Sequence, residues 1–376
     1  MADIKDILHN YVETCYKIYT YSNIKEISKL KENYYKSRTE INKDIHYPLI
    51  KYIIKKKKLY VKVDWNENIL EKQDIINEQD SRIVQVYNMI NNTILYAIKE
   101  KRNIPDTELY IWINDRVPWY NNIDKRFPIF VFSKPINTHF ILFPDNTFDC
   151  MTQDSKYSVN CTDWDETKKS IITEANTIKF DNKKDEIFFK GTLTGQYTTN
   201  IRYNLNKLSS TKKWLNINLD GWKSYIPMSK FCDYKILLNL PGHYPWSNRF
   251  KYLFLMKSLV VNIDVYTIDT ENIEFEPEWS TFINLLVQPN RHYKNIIMKY
   301  YYSNDKEEKI KNLQLNHDET QYVLNELKEI YDDIKNNDKY IKMISNGFET
   351  VSKLSNTHIY EYIYDCIIYN SKVNFI

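Results

Sequence analysis

The scarcity of glycine is the feature that most constrains this chain. Only five of its 376 residues are glycine, and the first is Gly191, so the first half of the chain has none. Backbone positions with positive φ, or pressed against another group, normally use glycine. The sequence accordingly contains neither the G-x-G-x-x-G turn of dinucleotide-binding folds nor the Walker A loop G-x-x-x-x-G-K-[ST]. These two nucleotide-binding motifs are therefore excluded.

The remaining composition describes an ordinary globular protein. Hydrophobic residues make up 43% of the chain and charged residues 27%, so a packed core is expected, and the length suggests about two domains. The chain is rich in Lys, Asn, Ile and Tyr, whose codons are AT-rich. This enrichment indicates a biased genome, and a large DNA virus is the source we favour over a parasite or an AT-rich microbe.

Charge and cysteine usage point to a location and to partners. The net charge of +3 is too small for a nucleic-acid footprint. The dense basic run at 55–58 is interpreted as a solvated face rather than a nucleic-acid or membrane patch. Five cysteines without a C-x-x-C motif favour reduced thiols in a cytoplasmic compartment. No leader sequence, retention signal or run of about 18 apolar residues is apparent, so no membrane span is expected.

Short apolar runs alternate with amphipathic segments along the chain. This alternation predicts β-α units with mostly parallel sheets, in two sets that meet near residues 180–186. In such sheets ligands bind at the carboxyl ends of the strands. The predicted strands are 109–113, 127–132, 140–143, 187–189, 214–219, 234–240 and 259–263. The predicted helices are 81–101, 164–178, 199–208, 246–257 and a tail from about 319.

The loop after the strand at 187–189 could bind an anion. Gly191 and Gly195 would let backbone N–H groups approach the anion, the hydroxyls of Thr192 and Thr194 could donate, and Arg202 lies in the helix that follows. The N-terminus of that helix would add positive potential. The alternative interpretation is a plain turn between a strand and a helix.

A second loop, beginning at Gly242, carries another anion-binding pattern. Ser247 could cap the predicted helix or contact phosphate, and Arg249 and Lys251 would occupy its first turn. Cations at a helix N-terminus oppose the macrodipole unless an anion offsets the cost. Two surface cations with their stems on the sheet are the alternative.

Three carboxylates are candidates for other chemistry. Asp115 follows an apolar strand, where a carboxylate can act as a general base or simply cap a turn. Asp163 and Asp165 match the D-x-D pattern of metal-dependent sugar transferases. Because they stand at a predicted helix start, we interpret them as capping residues and expect no metal site.

These elements, in this order, resemble glycosyltransferase family 90, which includes animal protein O-glucosyltransferases and fungal capsule xylosyltransferases. Segment 104–115 is similar to the family's IPD…D-x-P motif, and segment 189–202 to its W-R-G-[ST]-x-T-[SG]…R loop. Segment 234–253 resembles its Y-K-Y-L…D-G…S-x-R-x-K-Y-L signature. Residues 259–261 and 289–293 resemble the strand and the P…H-Y element that follow. The resemblance covers roughly residues 100–370.

The resemblance implies an α/β fold of the GT-B type, with two Rossmann-like domains facing each other across a cleft and a helical C-terminal tail. The expected limits are 1–183 for an acceptor-side domain carrying the base and 184–345 for a nucleotide-sugar donor domain. Residues 346–376 would form a C-terminal helix packing back toward the N-terminal domain.

The resemblance also implies a reaction, the inverting transfer of a sugar from a UDP-sugar to a hydroxyl of a protein or glycan, without a metal or other cofactor. Asp115 would be the base, and Arg249 with Ser247 would hold the diphosphate. The rest of the donor site would be formed by Gly191, Thr192, Thr194, Gly195, Arg202, Gly242 and Lys251.

The chain departs from the family motifs at three positions. Lys190 stands where the family usually has arginine, Leu193 stands where its glucosyltransferase branch has another arginine, and Pro241 replaces an aspartate. These departures leave the sugar and the acceptor open. They also keep a second function in view, a non-catalytic glycan- or nucleotide-binding structural protein. A metal-dependent transferase using Asp163 and Asp165 is a third possibility.

Overall fold

The computed structural model describes most of the chain. The described residues are 3–17, 49–62, 81–113, 128–136, 138–150, 162–193, 199–220, 226–242, 246–269, 274–275, 278–303, 305–334 and 338–373. The chain divides into two compact units. The N-terminal unit comprises Met1–Lys134, Thr138–Asp165 and Leu354–Ile376, and the central unit comprises Pro135–Asn137 and Glu166–Lys353. The acceptor and donor roles expected for the two halves stay a prediction.

The first part of the chain forms a mixed sheet with helices. Its elements are α1 Ile4–Lys17, β1 Leu49–Lys55, β2 Lys58–Lys62, α2 Ser81–Lys99, β3 Thr107–Trp112, β4 Phe130–Val131, β5 Ser133–Pro135 and β6 Ile141–Leu142. The strand order is β2-β1-β3-β4-β6. Strand β1 runs antiparallel to β2 and β3, whereas β4 is parallel to β3 and β6. The expectation of parallel strands is confirmed only for the second half of this sheet.

The lysine run at 55–58 forms the turn of the β1–β2 hairpin. Lys56 and Lys57 have φ values of 50° and 64°, which a two-residue turn of this twist requires. The backbone N–H of Lys56 donates to Asp106 Oδ1 at 2.7 Å. All four lysines of the run are exposed, and their interpretation as a solvated face rather than a binding patch stays a prediction.

The second part of the chain returns to strand–helix alternation. Its elements are α3 Trp164–Thr177, β7 Lys184–Lys190, α4 Thr199–Ser209, β8 Leu215–Asn218, β9 Tyr234–Asn239, α5 Phe250–Leu253, β10 Leu259–Asp269, β11 Glu274–Phe275, β12 Trp279–Thr281, β13 Lys294–Tyr302, α6 Lys306–Asp333, α7 Asp338–Ser352 and α8 Asn356–Val373. Short 3₁₀ turns lie at Asn146–Phe148, Phe180–Asn182, Met228–Asp233, Phe254–Met256 and Phe282–Leu285.

The central unit is built on a sheet in the order β8-β7-β9-β10-β13. These five strands are parallel, and β11 adds an antiparallel pair to the end of β10. One face of the sheet packs on apolar residues of α4, α6 and α7. The α/β class and the parallel sheet are therefore confirmed for this unit. The chain leaves β7 in one direction for β8 and leaves β9 in the other for β10, so the topological switch point lies between β7 and β9.

Two predicted helices differ from the structure. The helix predicted at 246–257 is only the single turn α5 followed by the 3₁₀ turn Phe254–Met256. The carbonyl of Trp246, which a helix starting there would use, instead accepts from Gly242 N at 2.8 Å. The tail helix begins at Lys306, earlier than predicted, because Asp305 caps α6 by accepting from two backbone N–H groups.

The cysteines also depart from expectation. Cys150 is disulfide-bonded, whereas Cys15, Cys232 and Cys366 are buried free thiols. The expectation of reduced thiols throughout is therefore wrong at Cys150. A disulfide could not be read from the sequence because nothing in the spacing of the cysteines indicates which of them meet in space.

None of the helices that the structure describes combines the length and apolar character needed to cross a membrane.

The C-terminal helix α8 belongs to the N-terminal unit, where Glu361 anchors it. Arg102 donates to both carboxylate oxygens at 2.6 Å, and the Tyr96 hydroxyl donates at 2.6 Å. Burial raises the pKa of Glu361, but these hydrogen bonds outweigh it and hold the pKa at about 2. The C-terminal helix is thus tied to α2 and the turn after it by a part-buried, bidentate ion pair.

Replacing Glu361 with glutamine should lower the free energy of unfolding by about 2 kcal/mol at neutral pH, because Arg102 loses a charged partner in a place that solvent only partly screens. The folded pKa lies below the ordinary value of 4.5. The ionic contribution is therefore complete above about pH 4.5 and is lost as the pH falls towards 2. Urea denaturation at pH 7 and pH 3 should show a difference that shrinks at the lower pH. The control Glu308→Gln removes an exposed pair with Lys311 and should cost under about 0.5 kcal/mol.

Candidate functional site

The site expected from the sequence begins where β7 ends, at Gly191. Its N–H donates to Asn218 O at 2.9 Å. A Cβ added at Gly191 would lie 2.9 Å from Cζ of Phe189 and 3.4 Å from Nη2 of Arg249. Glycine is therefore required here because an aromatic ring and a guanidinium press on the backbone. The turn brings residues of the first predicted loop against a residue of the second.

Arg202, on α4, joins the loops that follow β7 and β9. Its side chain is only 3% exposed. Nη1 donates to Thr192 O at 2.5 Å, and Nη2 donates to Pro241 O at 2.5 Å. Burial, and then the charge of Arg249, lower the pKa of Arg202 to about 9, so it stays protonated at neutral pH. Arg202 therefore holds together the two loops that flank the topological switch point.

Arg249 approaches the same place from the second loop. Its Nη1 donates to Lys190 O, and its guanidinium lies 4.9 Å from the centre of the Phe189 ring, where that of Arg202 lies at 5.2 Å. Desolvation lowers the pKa of Arg249 to about 10, although part of the side chain reaches solvent. No other hydrogen bond of this guanidinium is present among the described residues. Arg249 thus keeps donors free for a ligand.

The two guanidiniums form an arginine pair on one aromatic ring, and we use that name for Arg202 and Arg249. Each is stabilised by the face of Phe189, but their like charges disfavour one another in a partly desolvated place. An anion would relieve that repulsion, and arginine suits phosphate because its N–H groups can bind two oxygens at once. The arrangement can therefore hold a phosphate or carboxylate.

The other predicted site residues of the second loop are Gly242, Ser247 and Lys251. Gly242 closes the loop by donating to Trp246 O. Lys251 is 1% exposed, and its Nζ turns back to Asn248 O at 3.0 Å. The role of Ser247 as a helix cap is wrong, because α5 begins at Phe250 with Arg249 as its N-cap residue and no capping side chain. Phosphate contacts of Ser247 and Lys251 stay predictions.

Several predicted site residues lie outside the described residues. They are Asp115, Thr194 and Gly195. Asp115 follows β3, which ends at Trp112. Their roles therefore remain those implied by the sequence.

The candidate metal ligands Asp163 and Asp165 bind the start of α8. Asp163 accepts from Asn356 Nδ2 at 2.9 Å, and Asp165 accepts from Asn356 N at 3.0 Å. In the part of the chain that the structure describes, no three side chains of the His, Cys, Asp or Glu type form a metal-binding group. The two aspartates thus support the N-terminus of a helix, as capping carboxylates do.

Phe189 is the site residue that sequence reasoning missed. Its ring lies in the apolar cluster of the central sheet on one side and under the arginine pair on the other. The signal was an aromatic residue at the end of an apolar strand, two positions before a glycine. Apolar strands commonly contain such residues, so only the three-dimensional position of both arginines identifies its role.

Gly191→Ala should destabilise the protein by about 1–3 kcal/mol, because the new methyl group would overlap the Phe189 ring in a packed place. Urea denaturation measures the loss, and Gly242→Ala is the matched control. A Cβ at Gly242 meets only Trp246 O at 3.1 Å, so its cost should be smaller. Adding Phe189→Leu to Gly191→Ala should recover part of the loss. Equal costs at the two glycines would contradict this account of the turn.

Comparison with known proteins supports the family expected from the sequence. The family model described as Glycosyl transferase family 90 matches residues 21–344. An O-glucosyltransferase rumi homolog of Aedes aegypti is 29% identical over 209 residues, covering 51% of this chain and 48% of that protein. Protein O-glucosyltransferase 1 of Rattus norvegicus is 25% identical over 237 residues, covering 59% and 56%.

The chain therefore spans about half the length of the curated relatives it matches. The family match, in contrast, extends over most of the chain and includes both loops that form the arginine pair. The expected family is confirmed, and the viral source stays an expectation. This chain belongs to glycosyl transferase family 90.

Proposed function

We propose that this glycosyltransferase moves a sugar from a UDP-sugar to a hydroxyl group, with inversion at the anomeric carbon and without a metal. The observation that carries the proposal is the arginine pair at the switch point between β7 and β9. Negative charge grows on the diphosphate as UDP departs, and preoriented guanidinium groups stabilise such charge. Arg249 supplies the free donors, whereas Arg202 holds the two loops in place.

The chemical step assigns one further role. Asp115 removes the proton of the acceptor hydroxyl as its oxygen attacks the anomeric carbon, and the bond from that carbon to the UDP oxygen breaks. The electron pair of that bond leaves with UDP. Support for this role comes from the family motif at 104–115 rather than from geometry. Thr192, Thr194, Ser247 and the backbone N–H of Gly195 would add neutral donors to the diphosphate.

The acceptor we propose is a hydroxyl of a protein. The named activities of the relatives from Aedes aegypti and Rattus norvegicus support it. A glycan hydroxyl is the alternative, and both present the same O–H group to the base. The compartment we propose is oxidising, because the disulfide at Cys150 would be reduced in a cytosol that keeps thiols free. This differs from the cytoplasmic location expected from the sequence.

Nucleotide selectivity tests the donor. UDP should raise the melting temperature of the purified protein, because a ligand that binds only the folded state stabilises it. The increase should persist in EDTA, and GDP and ADP should give smaller increases. A flat response to UDP and to every UDP-sugar would contradict the donor assignment, whereas an increase that EDTA abolishes would contradict metal independence.

A further inference from the structure

A row of polar side chains crosses the central sheet on the face opposite its apolar cluster. Register pairs Lys190 with Asn218, Asn239 with Asn262, and Asn262 with Asn295. Phe188 pairs with Leu237, so Lys190 and Asn239 lie side by side two positions further along. The neighbours of these residues along each strand, such as Leu238 and Val261, belong to the apolar cluster. The polar row comprises Asn218, Lys190, Asn239, Asn262 and Asn295.

Asp264 fixes the direction of the hydrogen bonds in one half of this row. Its carboxylate accepts from Asn262 Nδ2 at 2.7 Å and from Asn295 Nδ2 at 2.6 Å. An ionised carboxylate can only accept, so both amides must turn their NH₂ groups towards it. Asn262 therefore presents its oxygen to Asn239, whose Nδ2 donates to it at 2.7 Å. Each amide is oriented by the one before it.

We call this series of hydrogen bonds, from Asp264 through Asn262 to Asn239, the relay. At its Asn239 end the relay leaves a hydrogen-bond acceptor. Asn239 is 3% exposed, and its Oδ1 has no hydrogen-bond partner among the described residues. An unpaired buried acceptor is unfavourable because it has given up its hydrogen bonds to water, so its presence calls for a ligand or a water that pairs with it. On the other side of β7 the row is closed separately, because Lys190 Nζ donates to Asn218 Oδ1 at 3.1 Å.

The unpaired side-chain oxygen of Asn239 lies at the topological switch point. Asn239 is the last residue of β9, directly before Leu240 and Pro241, and Pro241 O accepts from Arg202. The break in the polar row falls between β7 and β9, the two strands whose loops Arg202 joins. Ligands of such sheets bind in this crevice. A bound molecule whose phosphate lies at the arginine pair would therefore extend past the carboxyl end of β9.

We propose that Asn239 Oδ1 accepts a hydrogen bond from an O–H or N–H group of the bound nucleotide donor, and that Asp264 is the positioning residue that orients Asn239. The inference rests on the proposed function, because it takes the donor to be a UDP-sugar. The group that donates belongs either to the nucleoside, as a ribose hydroxyl or the uracil N–H, or to the transferred sugar.

The relay should respond to pH through Asp264. Burial raises the pKa of Asp264 to about 6, with the charge of Glu278 adding to the effect against the hydrogen bonds from Asn295 and Asn262. Tyr266 and Tyr293 also lie near this carboxyl, and each has a pKa raised by burial and by the charges of Asp264 and Glu278. Both tyrosines are neutral near pH 6, where Asp264 changes charge. A protonated Asp264 becomes a donor, so the amides lose their fixed direction below that pH.

Calorimetry with UDP and with UDP-glucose at pH 7.5 tests the contact. Asn239→Ala should weaken binding about tenfold, the usual loss for one hydrogen bond to a buried partner. Asn239→Leu keeps the volume of the side chain and replaces the alanine variant should that fail to fold. The control Asn216→Ala lies on the same face of β8, bonded to Glu186 at 2.7 Å, and should leave affinity unchanged.

The two ligands distinguish the sources of the donated hydrogen bond. An equal loss for UDP and UDP-glucose would assign the contact to the nucleoside, and a loss for UDP-glucose alone would assign it to the sugar. Unchanged affinity for both, in a folded variant of a wild type that binds them, would overturn the inference and leave the proposed function intact. A wild type that binds neither ligand would overturn both.

Asp264→Asn separates a positioning role from a purely structural one. Affinity is measured here with UDP-glucose, because the terminal phosphate of free UDP itself gains a proton near pH 6. Wild-type affinity should fall several-fold between pH 7 and pH 5, and in the variant this pH dependence should disappear, because asparagine has no proton to gain. At pH 7.5 the variant should bind more weakly than the wild type. A variant with lower thermal stability but an unchanged pH profile of affinity would contradict the positioning role.

Discussion

Replacing Arg249 with glutamine should lower UDP affinity and turnover by about 10²- to 10³-fold, because the diphosphate would lose a charged donor in a partly desolvated place. Arg249→Lys keeps the charge but not the paired N–H groups, so it should recover part of the loss. UDP release measured at saturating and limiting UDP-sugar separates the effect on turnover from the effect on affinity.

The matched control for this prediction is Arg291→Gln, which removes an exposed arginine of the same unit. It should change neither constant. Because Arg249 also donates to Lys190 O, the circular dichroism and melting temperature of the glutamine variant must be compared with those of the wild type. A folded variant with wild-type UDP affinity would remove the arginine pair from the donor site.

Asp115→Asn should lower turnover by about 10²- to 10⁴-fold while leaving UDP affinity unchanged. Asparagine has the same shape but cannot take the proton of the acceptor hydroxyl. The opposite pattern, weaker UDP binding with normal turnover at saturation, would place Asp115 in the donor site and leave the base unassigned.

A matched control for Asp115 is Asp106→Asn. Asp106 stands before β3, whereas Asp115 follows it, and its carboxylate already accepts from Lys56 N in the β1–β2 hairpin. The substitution should lower stability slightly and leave turnover unchanged. An equal loss of turnover in both variants would indicate a general disturbance of the N-terminal unit.

The sequence predicts an element correctly when the interactions that form it leave a pattern in neighbouring residues. The apolar runs at 187–189 and 234–240 predict strands correctly because burial on both faces leaves a continuous apolar pattern. The helix predicted at 246–257 is wrong because the Trp246 carbonyl is taken by Gly242 N, a contact that no periodicity reveals. The family motifs likewise located both loops of the arginine pair but not the ring of Phe189 between them.

The polar row shows the same limit more clearly. In the sequence each of its residues is a separate polar position within a strand, and only the register across β8, β7, β9, β10 and β13 aligns them. Register depends on strand order, which follows from crossovers far apart in the chain. The orientation of the amides then depends on Asp264, which the sequence marks only as one acidic residue in an apolar run.

The departures from the family pattern acquire positions in the structure. Lys190 is buried and bonded to Asn218, and Leu193 is 49% exposed. Pro241 contributes its carbonyl to Arg202, a contact that any residue could make with its backbone. The backbone carbonyls of Lys190 and Pro241 accept from Arg249 and Arg202, so these contacts do not require the side chains that other family members have at the two positions.

The most direct test of the central claim is the release of UDP from a panel of UDP-sugars in the presence of EDTA. We expect the purified wild type to release UDP from at least one of them, faster when a hydroxyl acceptor is supplied, and Asp115→Asn to release it at a rate near background. No release from any UDP-sugar by a folded wild type, with or without added divalent metal, would contradict the proposed activity and favour a non-catalytic nucleotide- or glycan-binding protein.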